Sequence, residues 1–357
     1  MKSTTVSPNS AIIDRLADTG MLPHESWLTL LDTHTPDDDA YAAMLARETA
    51  ISHFGRRIYF RGIIEFTNIC KNDCLYCGIR RSNTALSRYR LTQDEIMECC
   101  EQGYALGYRT FVLQGGEDSY FNDERLVGIV SAIRASYPDC AITLSVGERS
   151  RKSYEALFRA GADRYLLRHE SSDKIHYASL HPSGMSYDNR MRCLHDLREI
   201  GFQTGAGMMV GSPYQTSETL ARDMEFLASF RPHMVGIGPF IPHRDTPFGA
   251  YPAGSGALTL FLLSLTRLML PNVLLPATTA LGTVDKCGRQ AGVLAGCNVV
   301  MPNLSPMPVR KKYLLYDNKT GVDCDAAHSI QLLRHQMNEI GYEVVSGRGD
   351  FGEGKKS

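Results

Sequence analysis

The chain has almost no net charge and no long apolar run. Its 357 residues carry 38 Lys and Arg against 39 Asp and Glu, which gives a formal net charge of −1. Nucleic-acid and membrane partners favour a strongly basic surface, and a balance this even gives no indication of one. No stretch reaches the roughly 18 consecutive apolar residues that cross a bilayer. We therefore predict neither a nucleic-acid-binding protein nor a membrane protein.

The signatures of a secreted protein are also missing. Residues 1–8 lack the apolar core of a signal peptide. The ten cysteines do not form a disulfide framework pattern in a chain of this length. Thiols that are kept reduced for metal binding fit a reducing compartment better. The expected location is therefore the cytoplasm.

Three of the cysteines lie in one short loop, with the spacing C-x3-C-x2-C: Cys70, Cys74 and Cys77. Soft thiolates select zinc, Cu(I) or iron–sulfur clusters. A structural zinc site needs four closed ligands, whereas three ligands on a four-iron cluster leave one iron open to bind something else. The spacing therefore favours a cluster with an open iron over a zinc knuckle.

The surroundings of this loop resemble the radical S-adenosylmethionine (SAM) superfamily. Residues 63–66 form a short apolar run that predicts a buried strand ending at the loop. Tyr76 precedes the third cysteine, and superfamily members share C-x3-C-x-aromatic-C after the first strand of a barrel. The resemblance implies that the cysteines hold a 4Fe–4S cluster, which binds S-adenosyl-L-methionine and cleaves it reductively to a 5′-deoxyadenosyl radical.

Apolar runs alternate with helical patterns along the chain, which predicts βαβ units and a parallel sheet. The leading fold is an α/β fold of the (β/α)8 TIM-barrel type, with an N-terminal helical cap and a short C-terminal helical extension. A six-strand partial barrel with an appended domain is the alternative. The expected divisions are a cap over 1–55, a barrel over 56–305 and an extension over 306–357 with a partly disordered tail from Gly347. The eight candidate strands are 58–66, 109–114, 141–146, 164–169, 203–210, 234–239, 273–278 and 297–301.

The carboxyl ends of barrel strands carry the active sites of this fold. The second candidate strand ends in Gln114, Gly115, Gly116 and Glu117, where the two glycines let a ligand approach the backbone. This turn occupies the place of the superfamily's Gly-Gly-Glu motif. We therefore predict that it binds the methionine part of SAM.

The fourth candidate strand ends in Arg168-His169-Glu170. Charged side chains are rarely buried unless paired, so Arg168 and Glu170 are either a structural ion pair or ligand contacts. Alternation along a strand turns His169 to the other face. Arg190, on the next helix, is a second candidate for binding a carboxylate. Thr278 and Thr279, after the seventh strand, offer two hydroxyls at the barrel mouth.

Several strand-end runs resemble the family of the FeFe-hydrogenase maturase HydE. The resemblance covers about residues 55–345 and rests on 63–70, 164–170, 236–243, 276–283 and 299–303. It implies SAM contacts from Gln114–Glu117, Ser145, Arg168, Glu170 and Arg190. It implies a substrate cavity lined by Arg61, Gln114, Thr278, Thr279, Tyr313 and Tyr316. No catalytic side chain is implied beyond the ligands of the cluster and SAM.

The same resemblance implies a role and partners. The substrate would be a cysteine-bound iron carbonyl cyanide unit, the partners would be the maturases HydG and HydF, and an external donor would supply electrons. Some HydE proteins hold an auxiliary cluster with three C-terminal cysteines, but only Cys324 stands in that region here, so a second cluster is not expected.

Three other functions remain open from the sequence. One is a HydE-like paralogue acting on another small substrate, and a second is a radical SAM enzyme similar to methylornithine synthase. The third is an iron–sulfur carrier without enzymatic activity. Biotin synthase, which shares the barrel, carries three further cysteines inside it, and the aligned residues here are Val112, Ala141 and Gly205. This difference argues against sulfur insertion.

Overall fold

A computed structural model describes residues 7–352, and it begins with the expected helical cap. The cap consists of three helices: α1 Ser10–Thr19, α2 His24–Thr33 and α3 Pro36–Phe54. Helix α3 starts at a capping box in which Thr35 and Asp38 satisfy each other's backbone N–H groups. Asp38 also accepts hydrogen bonds from Ser7 and from the backbone of Asn9. The acidic run at 37–39 thus forms the first turn of α3, with Asp38 buried and Asp37 exposed.

His24 of α2 joins the cap to the barrel through two carboxylates. Its Nε2 lies 3.0 Å from Glu218 Oε2, and its Nδ1 lies 3.0 Å from Glu225 Oε1. The hydrogen bond to Glu218, followed by the one to Glu225, raises the pKa of His24 above its usual 6.5. The contribution of this contact to folding is therefore complete below about pH 6.5 and is lost as the pH rises through the folded-state pKa.

We expect His24→Gln to lower the melting temperature more at about pH 6 than at about pH 8. The side chain is partly exposed, so the difference should be on the order of 1–2 °C. Thermal unfolding at the two pH values measures it. An equal loss at both values would contradict the assigned role of the protonated imidazole.

In the part of the chain that the structure describes, nine strands follow the cap: β1 Arg57–Phe60, β2 Gly62–Thr67, β3 Thr110–Gly115, β4 Ala141–Ser145, β5 Arg164–Leu166, β6 Gln203–Val210, β7 Met234–Pro239, β8 Val299–Val300 and β9 Glu343–Val345. Strands β2 to β7 form one parallel sheet in sequence order. A smaller parallel sheet has the order β8-β1-β9. The prediction of an α/β fold built on a parallel sheet is confirmed.

Hydrogen bonds continue from the six-stranded sheet back to its first strand. Met234 of β7 is bridged to Leu274, Pro276 is bridged to Val299 of β8, and Asn303 is bridged to Ile63 of β2, all in parallel. The predicted seventh strand is therefore present only as isolated bridges. Pro276 has no N–H to donate to a regular ladder, which accounts for the interruption.

The predicted first strand, 58–66, is two strands. β1 pairs with β8 and β9, whereas β2 pairs with β3, and Arg61 separates them. The apolar run in the sequence is continuous, so only the partners distinguish the two strands. The predicted eighth strand, 297–301, is regular over Val299–Val300 alone.

Eleven further helices surround the strands in residues 7–352: α4 Gln93–Ala105, α5 Asp123–Ser136, α6 Arg151–Arg159, α7 Lys174–Leu180, α8 Tyr187–Ile200, α9 Ser217–Phe230, α10 Gly256–Met269, α11 Thr279–Val284, α12 Gly288–Leu294, α13 Met307–Arg310 and α14 Ala326–Glu339. The short helices α7, α11 and α13 were not predicted. None of the helices is both long and apolar enough to span a membrane.

The C-terminal segment closes the amino end of the strands. Asp350 Oδ1 receives hydrogen bonds from Arg164, whose side chain is fully buried, and from Gln203. Arg348 is paired with Asp163 at 2.8 Å. Disorder was expected from Gly347, but these ion pairs hold the segment through Gly352. Residues 353–357 lie outside the described residues.

Candidate active site at the carboxyl ends of the strands

The cysteine loop follows β2 and is fastened to several neighbours through its backbone. Lys71 N donates to Glu117 O at 2.9 Å, and Leu75 N donates to Leu180 O at 3.0 Å. Gly78 N donates to Leu315 O at 2.8 Å. The loop is therefore held at the carboxyl ends of the strands, where the fold was expected to place its chemistry.

The three thiols lie close enough to act on each other electrostatically. Burial, and next the charge of Cys70, raises the pKa of Cys77 to about 12. Burial, followed by the charges of Cys77 and Cys70, raises the pKa of Cys74. Such thiols become thiolates only beside bound positive charge, which is what iron supplies. Their softness and number fit a 4Fe–4S cluster, although within residues 7–352 they do not surround a position for a single ion.

The glycine turn lies directly against the cysteine loop. A Cβ atom added to Gly116 would lie 2.2 Å from Ile69 O and 2.8 Å from Cys70 Cβ, so only glycine fits this approach. Glu117 N is 3.4 Å from the sulfur of Cys70. The turn therefore brings its backbone to the edge of the predicted cluster, as its predicted binding role requires.

Glu117 itself is built into the next strand end. Its Oε1 accepts a hydrogen bond from Glu148 N at 3.0 Å, and Lys71 Nζ lies 3.2 Å from its Oε2. Gly147 has a φ of +77°, and a Cβ there would lie 2.1 Å from Glu117 Cγ. The carboxylate thus orders the loop after β4, a role that the sequence did not indicate.

Arg168 and Glu170 form a bidentate ion pair after β5. The Nε–Oε1 and Nη2–Oε2 distances are both 2.9 Å, and the Glu170 side chain is 8% exposed. Glu170 has a φ of +63°, a left-handed conformation that is uncommon for a residue with a side chain. The structure therefore shows the ion-pair alternative, and the contact of these two residues with SAM stays a prediction.

His169 holds this strained strand end from the opposite face, as alternation predicted. Gly207 N donates to His169 Nδ1 at 3.2 Å, so the ring proton must sit on Nε2. Nε2 lies 3.3 Å from Asp223 Oδ1, and both side chains are fully buried. Asp223 was not identified from the sequence.

Arg190 of α8 is buried, with its side chain 7% exposed. It donates from Nε to Glu148 at 2.6 Å and from Nη1 to the Arg168 carbonyl at 2.5 Å. Sequence reasoning selected Arg190 and missed Glu148, its carboxylate partner 42 residues away. The arrangement joins α8 to the strand end that carries Arg168.

The cysteine loop and these charges share one region. After burial and Cys70, the charges of Glu170 and Arg168 also act on the pKa of Cys77. Tyr76 is half-buried beside this region, and its hydroxyl lies 3.2 Å from His181 Nε2. Burial lowers the pKa of His181 to about 4, so its ring is neutral at pH 7. The structure thus brings the predicted cluster ligands and the predicted SAM contacts together.

The predicted substrate residues are divided between two levels of the barrel. Gln114 of β3 lies in register with Ser145 of β4 at the carboxyl level. Arg61 is placed elsewhere, with Nη2 donating to Gly349 O at 3.3 Å near the amino end. Glu65 is in register with Gln114, and Arg61 precedes Glu65 by four residues, which is about 13 Å along an extended chain. Arg61 therefore lies at a different level from Gln114, and its place in the substrate cavity stays a prediction.

Thr278 and Thr279 begin α11 beside β7. Thr278 Oγ1 is buried, and none of residues 7–352 hydrogen-bonds to it. A Cβ on Gly238 would lie 3.0 Å from it, so the glycine permits the close approach of Thr278. Tyr316, from another segment, contacts Thr283 of α11. The unpartnered, buried hydroxyl of Thr278 is suited to a polar ligand.

The remaining cysteines do not join the site. Cys324 is half-buried, and Cys287 is exposed. Cys99, Cys100, Cys140, Cys193 and Cys297 are buried. Cysteines without ligand spacing are expected to pack as small apolar core residues. This expectation is confirmed for these five and is wrong for the exposed Cys287.

Comparison with known proteins identifies relatives of this chain. The sequence profile of the Radical SAM superfamily matches residues 64–227. The chain is 46% identical over 275 residues to the [FeFe] hydrogenase maturase subunit HydE of Thermotoga maritima, which covers 77% of this chain and 78% of that protein. It is 27% identical over 295 residues to the 3-methylornithine synthase of Methanosarcina barkeri, covering 82% and 83%. The crystal structure of methylornithine synthase PylB superposes with a TM-score of 0.78 at 23% identity, covering 94% of this chain and 97% of that one.

Proposed function

The chain belongs to the HydE family of radical SAM enzymes, and on that premise we propose that it matures FeFe-hydrogenase by acting on a cysteine-derived iron carbonyl cyanide precursor. The identity of 46% over three quarters of the chain carries this proposal. The meeting of the cysteine loop, the glycine turn and the Arg168–Glu170 pair at one end of the strands supports it. The relation to 3-methylornithine synthase, at 27%, is weaker.

The chain's own residues would bind and orient the reactants. When bound, the cluster and SAM supply reductive cleavage to a 5′-deoxyadenosyl radical. The glycine turn would present its backbone to the methionine amino group, and Arg168 and Arg190 would provide positive charge for the carboxylate. Gln114 and Ser145 would face the reactants from neighbouring strands.

The substrate would occupy the space on the α11 side of the site. Thr278, Thr279, Tyr313 and Tyr316 border it, and the unpartnered Thr278 hydroxyl is available to a polar ligand. Covering segments over the barrel would exclude water, so that a radical meets its substrate before solvent. The partners would be HydG, HydF and an external electron donor. The expected location is the cytoplasm.

We expect Thr278→Val to leave SAM cleavage within about twofold of the wild type and to lower hydrogenase maturation about tenfold. Valine keeps the shape of threonine but removes the hydroxyl that would contact the substrate. The two readouts are 5′-deoxyadenosine formed under reduction and hydrogenase activity after maturation. The same split is expected of Thr279→Val.

A matched control is Thr29→Val on α2, whose hydroxyl bonds within its own helix. Both of its activities should equal those of the wild type. Equal loss of cleavage and maturation in Thr278→Val would place the hydroxyl in SAM binding. Normal SAM cleavage by the wild type without any maturation would indicate another substrate and would overturn the proposed function.

A further inference from the structure

A buried ion pair joins two segments that are far apart in the sequence. Lys319 Nζ contacts Glu65 Oε1, and the two side chains are 8% and 3% exposed. Asn303 Nδ2 donates to the other carboxylate oxygen at 2.8 Å. Neither charged residue was selected from the sequence. Burying two charges costs about as much as their attraction returns, so such a pair adds little stability by itself and calls for another explanation.

Glu65 stands at the level of the candidate site. It is in register with Gln114 across β2 and β3, and Gln114 is in register with Ser145 across β3 and β4. Its neighbours Ile64 and Phe66 pack into the core under the helices, so alternation directs Glu65 into the barrel. The carboxylate is therefore inside the barrel, beside two residues assigned to SAM binding.

Lys319 comes from the segment that crosses the mouth of the barrel. This mouth segment, residues 311–325, is tied to its surroundings by backbone hydrogen bonds. Asn68 Nδ2 donates to Lys312 O at 2.6 Å. Asp317 N donates to Pro242 O at 3.1 Å. The segment thus spans from the cysteine loop to the end of β7.

The ammonium of Lys319 also holds Tyr313 of the same segment. Its Nζ donates to Tyr313 O at 3.0 Å and lies 5.0 Å from the centre of the Tyr313 ring. Tyr313 is 2% exposed, and its hydroxyl is in hydrogen-bonding contact with Gln114. One cation therefore connects the carboxylate on β2, the mouth segment and the residue next to the glycine turn.

We propose that Glu65 and Lys319 form a latch that keeps the mouth segment closed over the barrel and positions Tyr313 against Gln114. Both are positioning residues. The inference rests on the proposed function in one respect: that function identifies the covered site as the one that binds SAM and substrate. The contacts of Lys319 with both Glu65 and Tyr313 carry it, because a pair serving stability alone would have no need to reach the site from the segment above it.

The test is amide hydrogen exchange on the full-length protein, as isolated and after cluster reconstitution. We expect Lys319→Met to accelerate exchange within residues 311–325 about tenfold, the effect of losing one buried charge-assisted contact. Exchange in α10 should not change. Acceleration throughout the chain, or none in the mouth segment, would overturn the latch.

A matched control lies in the same segment. Lys311 Nζ is 2.6 Å from Asp323, and both side chains are 70% exposed. Exposed ion pairs of this kind contribute little to stability. Amide exchange within residues 311–325 of Lys311→Met should therefore equal that of the wild type. If it opens the segment as much as Lys319→Met does, any lost lysine suffices and the latch is refuted.

The isosteric variant Glu65→Gln tests the pair without changing its packing. It should also open the segment, and the double variant should open it no further than the more open single variant, because both changes break one contact. Additive effects would show that the two residues act separately and would overturn the proposal.

A second readout separates the latch from the proposed function. In Lys319→Met, the ratio of hydrogenase maturation to 5′-deoxyadenosine formed should fall about tenfold. An open mouth segment no longer positions Tyr313 against Gln114. An unchanged ratio would contradict the positioning of Tyr313. If wild-type protein supports no maturation, the proposed function fails, whereas the exchange data still decide whether the latch exists.

Discussion

Replacing Cys74 with alanine is expected to abolish cluster assembly and all SAM cleavage. Two remaining thiolates cannot hold three corners of a four-iron cluster, and no other cysteine lies in the loop. Iron and sulfide bound after anaerobic reconstitution should fall to background. The electron paramagnetic resonance signal of the reduced protein should disappear with them.

The exposed Cys287 provides the control for this experiment. Cys287→Ala removes a thiol without touching the loop, and it should bind iron and cleave SAM like the wild type. Circular dichroism of both variants checks that the fold is kept. Cleavage retained by folded Cys74→Ala protein would show that the three cysteines are not the cluster ligands.

Replacing Glu170 with glutamine is expected to weaken SAM binding by about 10- to 100-fold while the cluster is still assembled. The amide keeps the size of the side chain and its left-handed backbone, but it breaks the charge pairing with Arg168. Arg168 is then left partly buried without its partner, and the site loses a defined geometry. The SAM-dependent change in the resonance signal, titrated with SAM, measures the affinity.

An exposed glutamate on α6 provides the comparison. Glu155 pairs with Arg151 at 3.4 Å, and both side chains are more than one third exposed. Glu155→Gln should bind SAM with wild-type affinity. Wild-type affinity in Glu170→Gln as well would exclude the Arg168–Glu170 pair from the SAM site.

The parts of the site that sequence reasoning found are mostly local in the chain. The spacing of three cysteines within eight residues predicts a cluster-binding loop, and two glycines before Glu117 predict a ligand-binding turn. The structure brings the loop and the turn into contact at Gly116, where no larger residue fits. Arg61 was assigned to the substrate cavity by resemblance, and the structure shows its side chain donating to Gly349 O near the amino ends of the strands.

The parts that sequence reasoning missed are long-range pairs. Glu148 meets Arg190 across 42 residues, and Lys319 meets Glu65 across 254. A single glutamate or lysine in a sequence has the pattern of a solvated surface residue. Only the meeting of two such residues in a buried place gives them a role, and no spacing rule predicts that meeting.

The sequence by itself determined the α/β fold with its parallel sheet, and it identified the cysteine loop and the glycine turn as local motifs. These depend on periodicity, turn chemistry and thiolate softness, all of which act over a few residues. The tertiary structure alone decided that residues 58–66 divide into two strands, and that Lys319 enters the barrel. Both depend on which segments meet, because strand pairing and the burial of charge are settled by partners distant in the chain.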